Sequence, residues 1–222
     1  MSADPQRKWG ILLASGDNGE PLEGAVSACA SALDQGAIPF LYLLHDGTRH
    51  VHHPALQRMR ARGLRLYCCS FNARRRGIET DDAAIYCGLG ILADILASVD
   101  RFLSFTGSRW DGQEPRARKT PDGHGRRTVQ FRIWSDPGQT YLASEGVRVA
   151  LGLLASGRVD VQLLFGSAGL ECLRPEIEQS PGGPALATHL QSFRERGGGV
   201  GVEEAGWGTP VDDEACFAVL GF

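Results

Sequence analysis

The sequence predicts an α/β protein of two tandem units, each a mostly parallel sheet with helices on its faces, the second a degenerate copy of the first. Three observations carry this. Short apolar runs alternate with stretches of helical periodicity along the whole chain. The order of those elements repeats at an offset of 122 residues, the distance from Glu23 to Glu145, which also lays Ala28 on Ala150, Leu41 on Leu163 and Gly47 on Gly169. Charge is partitioned as well: residues 1–106 hold 11 Lys+Arg against 11 Asp+Glu, residues 107–127 hold 6 against 3, and residues 128–222 hold 6 against 12. The expected domains are therefore 1–106 and 128–222, with 107–127 as a basic linker or long loop rich in turn formers. A chain of 222 residues with 42% hydrophobic and 22% charged residues is neither disordered, collagenous nor a disulfide scaffold.

In the first unit the apolar run Trp9–Ala14 reads as a strand that ends in the turn-rich Ser15–Gly19. Leu22, Ala25, Val26, Cys29, Ala32 and Leu33 then mark one helix face. A strand follows over Ile38–Leu44 and closes at His45-Asp46-Gly47. A basic helix over Pro54–Arg62 leads to a strand at Leu64–Tyr67 and a loop carrying Cys68 and Cys69. Ile85, Leu89, Leu92, Leu96 and Val99 are spaced by 4, 3, 4 and 3, which predicts one long helix. A strand at Arg101–Thr106 completes the unit. The second unit repeats the scheme: a strand at Val129–Ile133, a helix with Val147, Ala150, Leu151 and Leu154, and a strand at Val159–Phe165. Its third strand is expected over Gly199–Ala205, and its last helix and strand are expected to be shortened or missing.

Functional loops of a parallel sheet lie at the carboxyl ends of its strands, and Cys69 occupies such an end. A helix start after Cys69, with Arg74, Arg75 and Arg76 just downstream, predicts a thiol in a surface crevice with its anion favoured. The stretch Leu56–Gly77 carries seven Arg and no acid.

At these residues the chain resembles the DsrE/DsrF/DsrH family of sulfur-relay proteins, which includes the TusB, TusC and TusD components of tRNA thiolation. Four passages carry the resemblance: Ile11–Gly19; Leu43-Leu44-His45-Asp46-Gly47; Cys69 with Arg76-Gly77 downstream; and Gly88-Leu89, Leu92-Ala93, Asp100-Arg101 and Phe105. The resemblance implies a flavodoxin-like three-layer α/β/α unit and a persulfide on Cys69. It also implies a sulfur carrier, sulfurtransferase-like in its chemistry, that accepts sulfane sulfur and passes it to an acceptor thiol. Ser70, Arg74, Arg75, Arg76 and Gly77 would bind substrate or stabilise the thiolate, and Asp17, His45 and Asp46 would form the rim. Partners implied are sulfur-donor and sulfur-acceptor proteins, TusA-like or rhodanese-like, and further copies of the chain in a homo-oligomer. The alternatives are a non-catalytic assembly subunit and a thiol redox sensor.

Other readings of the same residues are blander. Cys68 is expected to face away from Cys69, although a strained Cys68–Cys69 disulfide or a resolving role for Cys68 stays open. Cys29 and Cys87 fall in helical patterns and read as core. His45, His50, His52 and His53 match no zinc spacing, so no metal is expected, and no organic cofactor is needed. Aromatic residues are sparse among the arginines and the net charge is −3, which argues against nucleic acid. The apolar stretch Trp9–Leu13 is too short for a signal-peptide core or a membrane span, so the cytoplasm is the expected location.

Overall fold

The computed structural model describes residues 6–108, 112, 125–179, 182–203 and 216–222. The chain divides into two units, Met1–Glu114 and Pro115–Phe222. Most of the expected linker at 107–127 lies outside the described residues, as does all of Gly206-Trp207-Gly208-Thr209.

The first unit runs β1 (Lys8–Leu13), α1 (Glu20–Asp34), β2 (Ile38–Leu43), a 3-10 turn (His45–His50), α2 (Pro54–Ala61), β3 (Arg65–Cys69), α3 (Ser70–Arg75), β4 (Ile85–Cys87), α4 (Leu89–Ser98) and β5 (Arg101–Phe105). The five strands are all parallel, in the order β4-β3-β2-β1-β5. The layers are those of a flavodoxin-like unit, while the order differs from flavodoxin's own 2-1-3-4-5 and puts the reversal of direction between β1 and β5. Alternation along the strands separates two faces. Ile11, Leu13, Leu41, Leu43, Leu66, Cys68, Leu103 and Phe105 form one core with α1 and α2. On the opposite face Gly10 lies against Phe102 and Ile95, which places α4 there. Proline at the first turn of α1 and of α2 suits the fixed φ of that position and its spare N–H.

Two expectations are corrected in this unit. The periodic run from Ile85 to Val99 is not one helix: Ile85–Cys87 is a short edge strand, and α4 begins only at Leu89. Gly88 breaks the run, and the open edge of β3 supplies hydrogen-bonding partners that a helix would have had to forgo. Cys87 is therefore a strand residue and half-exposed, whereas Cys29 does lie in the α1 core.

The second unit has β6 (Thr128–Ile133), α5 (Leu142–Ser156), β7 (Asp160–Phe165), 3-10 turns at Ser167–Leu173 and Pro175–Gln179, α6 (Gly183–Glu195), β8 (Gly199–Val202) and β9 (Ala218–Gly221). Its parallel sheet has the order β8-β7-β6-β9. Among the described residues this is the first unit's order without a strand at the place of β4. The last strand, expected to be shortened or missing, is present as β9, four residues against the five of β5, and pairs with β6 as β5 pairs with β1, while the place of the expected last helix lies mostly outside the described residues.

The duplication is visible in the backbone. His45 and Ser167, 122 residues apart, are the described non-glycine residues with positive φ, at 48° and 50°. Two residues on, a Cβ at Gly47 would strike the Leu13 carbonyl and one at Gly169 the Ile133 carbonyl, so both positions admit only glycine. Gly24 abuts Phe105, and Gly146 abuts Phe222.

Among the described residues no helix is long and apolar enough to cross a membrane.

Candidate functional site

The carboxyl ends of β1, β2 and β3 gather the residues that the sequence singles out. Cys69 ends β3 and caps α3, a helix of six residues. Its side chain is not in a surface crevice as expected: it is 1% exposed. Part of the reason is β4, which extends the sheet beyond β3 and pairs Cys87 with Cys69, so that this strand end is not an open edge. Cys68 is fully buried on the other face, within the core of α1 and α2, and burial pushes its thiol up to about 12. Burial does the same to Cys29 and Cys172, each at about 12. These thiols stay protonated at neutral pH.

Cys69 shares its face with two groups that sequence reasoning missed. In the parallel register Cys69 is paired with Cys87, and Tyr67 with Tyr42 one pleat earlier. Register partners in adjacent strands point to the same side, so Tyr42, Cys69 and Cys87 form one cluster. Tyr42 is completely buried and its hydroxyl has no hydrogen-bond partner. Both sulfurs lie close to that hydroxyl; burial first, and then Cys69 and Cys87, push its pKa up. Burial raises the Cys87 thiol to about 11, against a smaller opposing pull from the Tyr42 hydroxyl. Tyr42 carried a signal in the sequence, a phenol in an otherwise apolar strand, Ile-Pro-Phe-Leu-Tyr-Leu. Cys87 carried none, because the spacing of its neighbours predicts a helix over its strand.

The arginines divide their tasks. Arg76 donates from Nε to Asp46 Oδ1 at 2.8 Å and from Nη1 to the Asn72 carbonyl at 3.3 Å. Arg75 lies over the exposed Phe71 ring at 5.7 Å, and Arg74 is exposed. Ser70 is half-buried in the first turn of α3. Gly77, at φ 65°, closes α3: its N–H bonds the Arg74 carbonyl and the Ile78 N–H bonds the Ala73 carbonyl, a Schellman ending that explains Arg-Gly at this spacing.

Asp46 is the hub of the rim. It accepts from Arg76 and, at 3.3 Å, from Arg49, and sits 3.2 Å from His45 Nδ1. Burial pushes its carboxyl up, but the Arg76 hydrogen bond and the His45 and Arg76 charges outweigh that and hold it below its ordinary value. Asn72, also missed, is 1% exposed and accepts the His45 N–H on its Oδ1 at 3.1 Å, which ties α3 to the strained turn after β2. Asp17 is exposed on the β1 loop, with its N–H bonded to Ser15 Oγ at 3.2 Å. Of the histidines, His50 is buried edge-on to His53, ring centroids 6.3 Å apart, and burial followed by the His53 charge lowers its pKa. Among the described residues no three His, Cys, Asp or Glu side chains come together to hold a metal ion.

No family model matches the chain, and no curated protein does either. Two solved structures are similar in part. The ychN protein of E. coli matches with 21% identity and a TM-score of 0.40 over 45% of this chain and 100% of its own. The phenylacrylic acid decarboxylase of Aquifex aeolicus matches with 10% identity and a TM-score of 0.22 over 96% of this chain and 90% of its own.

Proposed function

We propose that the first unit is a sulfur carrier, working through a persulfide on Cys69. The observation that carries the reading is the setting of Cys69: a thiol at the carboxyl end of a parallel strand, beside a buried tyrosine hydroxyl that has no hydrogen-bond partner. The resemblance of Cys69 with Arg76-Gly77 to the sulfur-relay pattern supports the same reading. In the loading step the Cys69 thiolate attacks the outer sulfur of a donor persulfide. A bond forms between Cys69 Sγ and that sulfur, the donor's S–S bond breaks, and the donor leaves as a thiolate. An acceptor thiolate then takes the outer sulfur by the same exchange and frees Cys69. The Tyr42 hydroxyl donates to the sulfur anion that each step creates. Asp46, Arg76 and Asn72 act at one remove, by holding α3 and the His45 turn in place. Because Cys69 is buried, a donor reaches it only when the three-residue edge strand β4 or the start of α3 moves aside.

The test is sulfur loading with inorganic polysulfide, read by intact mass and peptide mapping under non-reducing conditions. The expected result is a gain of about 32 Da, one sulfur, on the Cys69 peptide, absent in Cys69→Ser. Identical gains in the two proteins, or no gain on that peptide at any time, overturn the reading.

A further inference from the structure

The second thiol of the cluster has no part in a simple carrier, and its position gives it one. Cys69 and Cys87 are register partners in adjacent parallel strands with both side chains on one face. Adjacent strands are about 4.8 Å apart, inside the Cα separation of roughly 4.4–6.8 Å that a disulfide bridges. Cys68, the neighbour in sequence, projects to the opposite face among Leu43, Leu66 and Val51 and cannot meet Cys69 without turning the strand over. Accessibility differs too: Cys69 is buried, whereas Cys87 is half-exposed on a three-residue edge strand. The Tyr42 hydroxyl, buried and without a hydrogen-bond partner, lies beside both sulfurs.

We propose that Cys87 is the resolving thiol of Cys69, so that the site is a dithiol that discharges its sulfur as sulfide when no acceptor takes it. The proposal rests on the persulfide reading above and deepens it. The Cys87 thiolate attacks Cys69 Sγ, the inner sulfur of Cys69–S–SH. A Cys69–Cys87 bond forms, the bond to the outer sulfur breaks, and that sulfur leaves with the electron pair as HS⁻. The two cysteine sulfurs are oxidised to a disulfide and the sulfane sulfur is reduced to sulfide, so no outside oxidant enters; the proton of Cys87 passes to solvent. A small dithiol reductant then returns the pair to the reduced state. The substrate class is sulfane sulfur from polysulfides or persulfides, and the products in the absence of an acceptor are sulfide and an oxidised pair.

The experiment follows full-length protein after a pulse of inorganic polysulfide and removal of excess. In the wild type the gain of about 32 Da decays, a species about 2 Da lighter than the reduced protein appears with Cys69 and Cys87 cross-linked in its peptide map, and about one equivalent of sulfide is released. In Cys87→Ser the added sulfur stays on Cys69 at least about tenfold longer and sulfide release stops; Cys87→Ala, at the same half-exposed edge position, behaves alike and guards against an effect of the serine. Equal sulfur retention in wild type and both variants overturns the proposal while leaving the persulfide reading intact. Should no protein take up sulfur, the persulfide reading falls and the resolving step with it; treatment with diamide then decides whether the pair exists, since a Cys69–Cys87 cross-link upholds the dithiol and a cross-link elsewhere or none removes it.

Discussion

The two units keep one backbone and differ in chemistry. Each turns out of its second strand through a left-handed residue, His45 or Ser167, and each passes a glycine, Gly47 or Gly169, beneath the carbonyl of its first strand. Register extends the match to the site. Leu43 pairs with Cys68 and Phe165 pairs with Val202, so Glu203 stands where the first unit has Cys69. On the same basis Leu164 replaces Tyr42 and Ala168 replaces Asp46. The face that α4 covers through Gly10 and Leu12 carries Gln130 and Arg132 in the second unit, where Arg132 Nε donates to Gln130 Oε1 at 2.9 Å. The chain between third and last strands spans 70–100 in one unit and only 203–217 in the other. The comparison teaches that the features common to both units are the ones that make the fold, and that Cys69, Tyr42 and Asp46 have no counterpart of the same type at the matching places of the second.

The shared features are tested by alanine. Gly47→Ala and Gly169→Ala each force a methyl group into a main-chain carbonyl, and each is expected to cost about 3 kcal/mol in denaturant unfolding of the whole protein, seen as loss of the transition of its own unit. A large loss at Gly47 with none at Gly169 would break the equivalence of the two turns.

A smaller effect separates chemistry from stability. Tyr42→Phe removes a buried hydroxyl that has no hydrogen-bond partner, so thermal unfolding should stay level or improve by up to about 1 kcal/mol. Sulfur loading on Cys69 should nevertheless slow about tenfold, since the donor to the sulfur anion is gone. Loss of stability with unchanged loading would assign Tyr42 to the core alone.

The smallest effect concerns the rim. Asp46→Asn discards a half-exposed ion pair with Arg76 and is expected to cost about 1 kcal/mol at neutral pH. The sign of its pH dependence is fixed by the depressed carboxyl. The stabilisation is present above the unfolded-state value near 4 and is lost as pH falls through the lower folded value, so wild type and variant converge in acid. Differences that persist unchanged to pH 2 would rule out the ion pair as their source.

Much of the fold was legible because strand and helix periods differ and Gly or Asp turns separate the elements. The edge of each sheet was not. Ile85 continues the 4-3-4-3 spacing of α4, and three residues are too few to show alternation, so the pattern predicts a helix over β4 and Cys87 with it. The final strand of the second unit was hidden in a similar way: Ala218–Gly221 is four residues long and has no helix pattern just before it to announce a crossover. At the site, the position of Cys69 at a strand end was readable, but its burial depended on a neighbour that only tertiary pairing reveals. The arginine run drew attention by charge, yet Arg76 is engaged with Asp46, thirty residues earlier, a pairing that no local spacing specifies.

The contrast between the units is tested most directly by mapping added sulfur over all six cysteines of the intact chain after a brief exposure to inorganic polysulfide. The sulfur should be found on Cys69, and as a Cys69–Cys87 cross-link once it has discharged, with none on Cys172 or Cys216 of the second unit. Sulfur on Cys172 or Cys216 at a level equal to Cys69 would contradict the account.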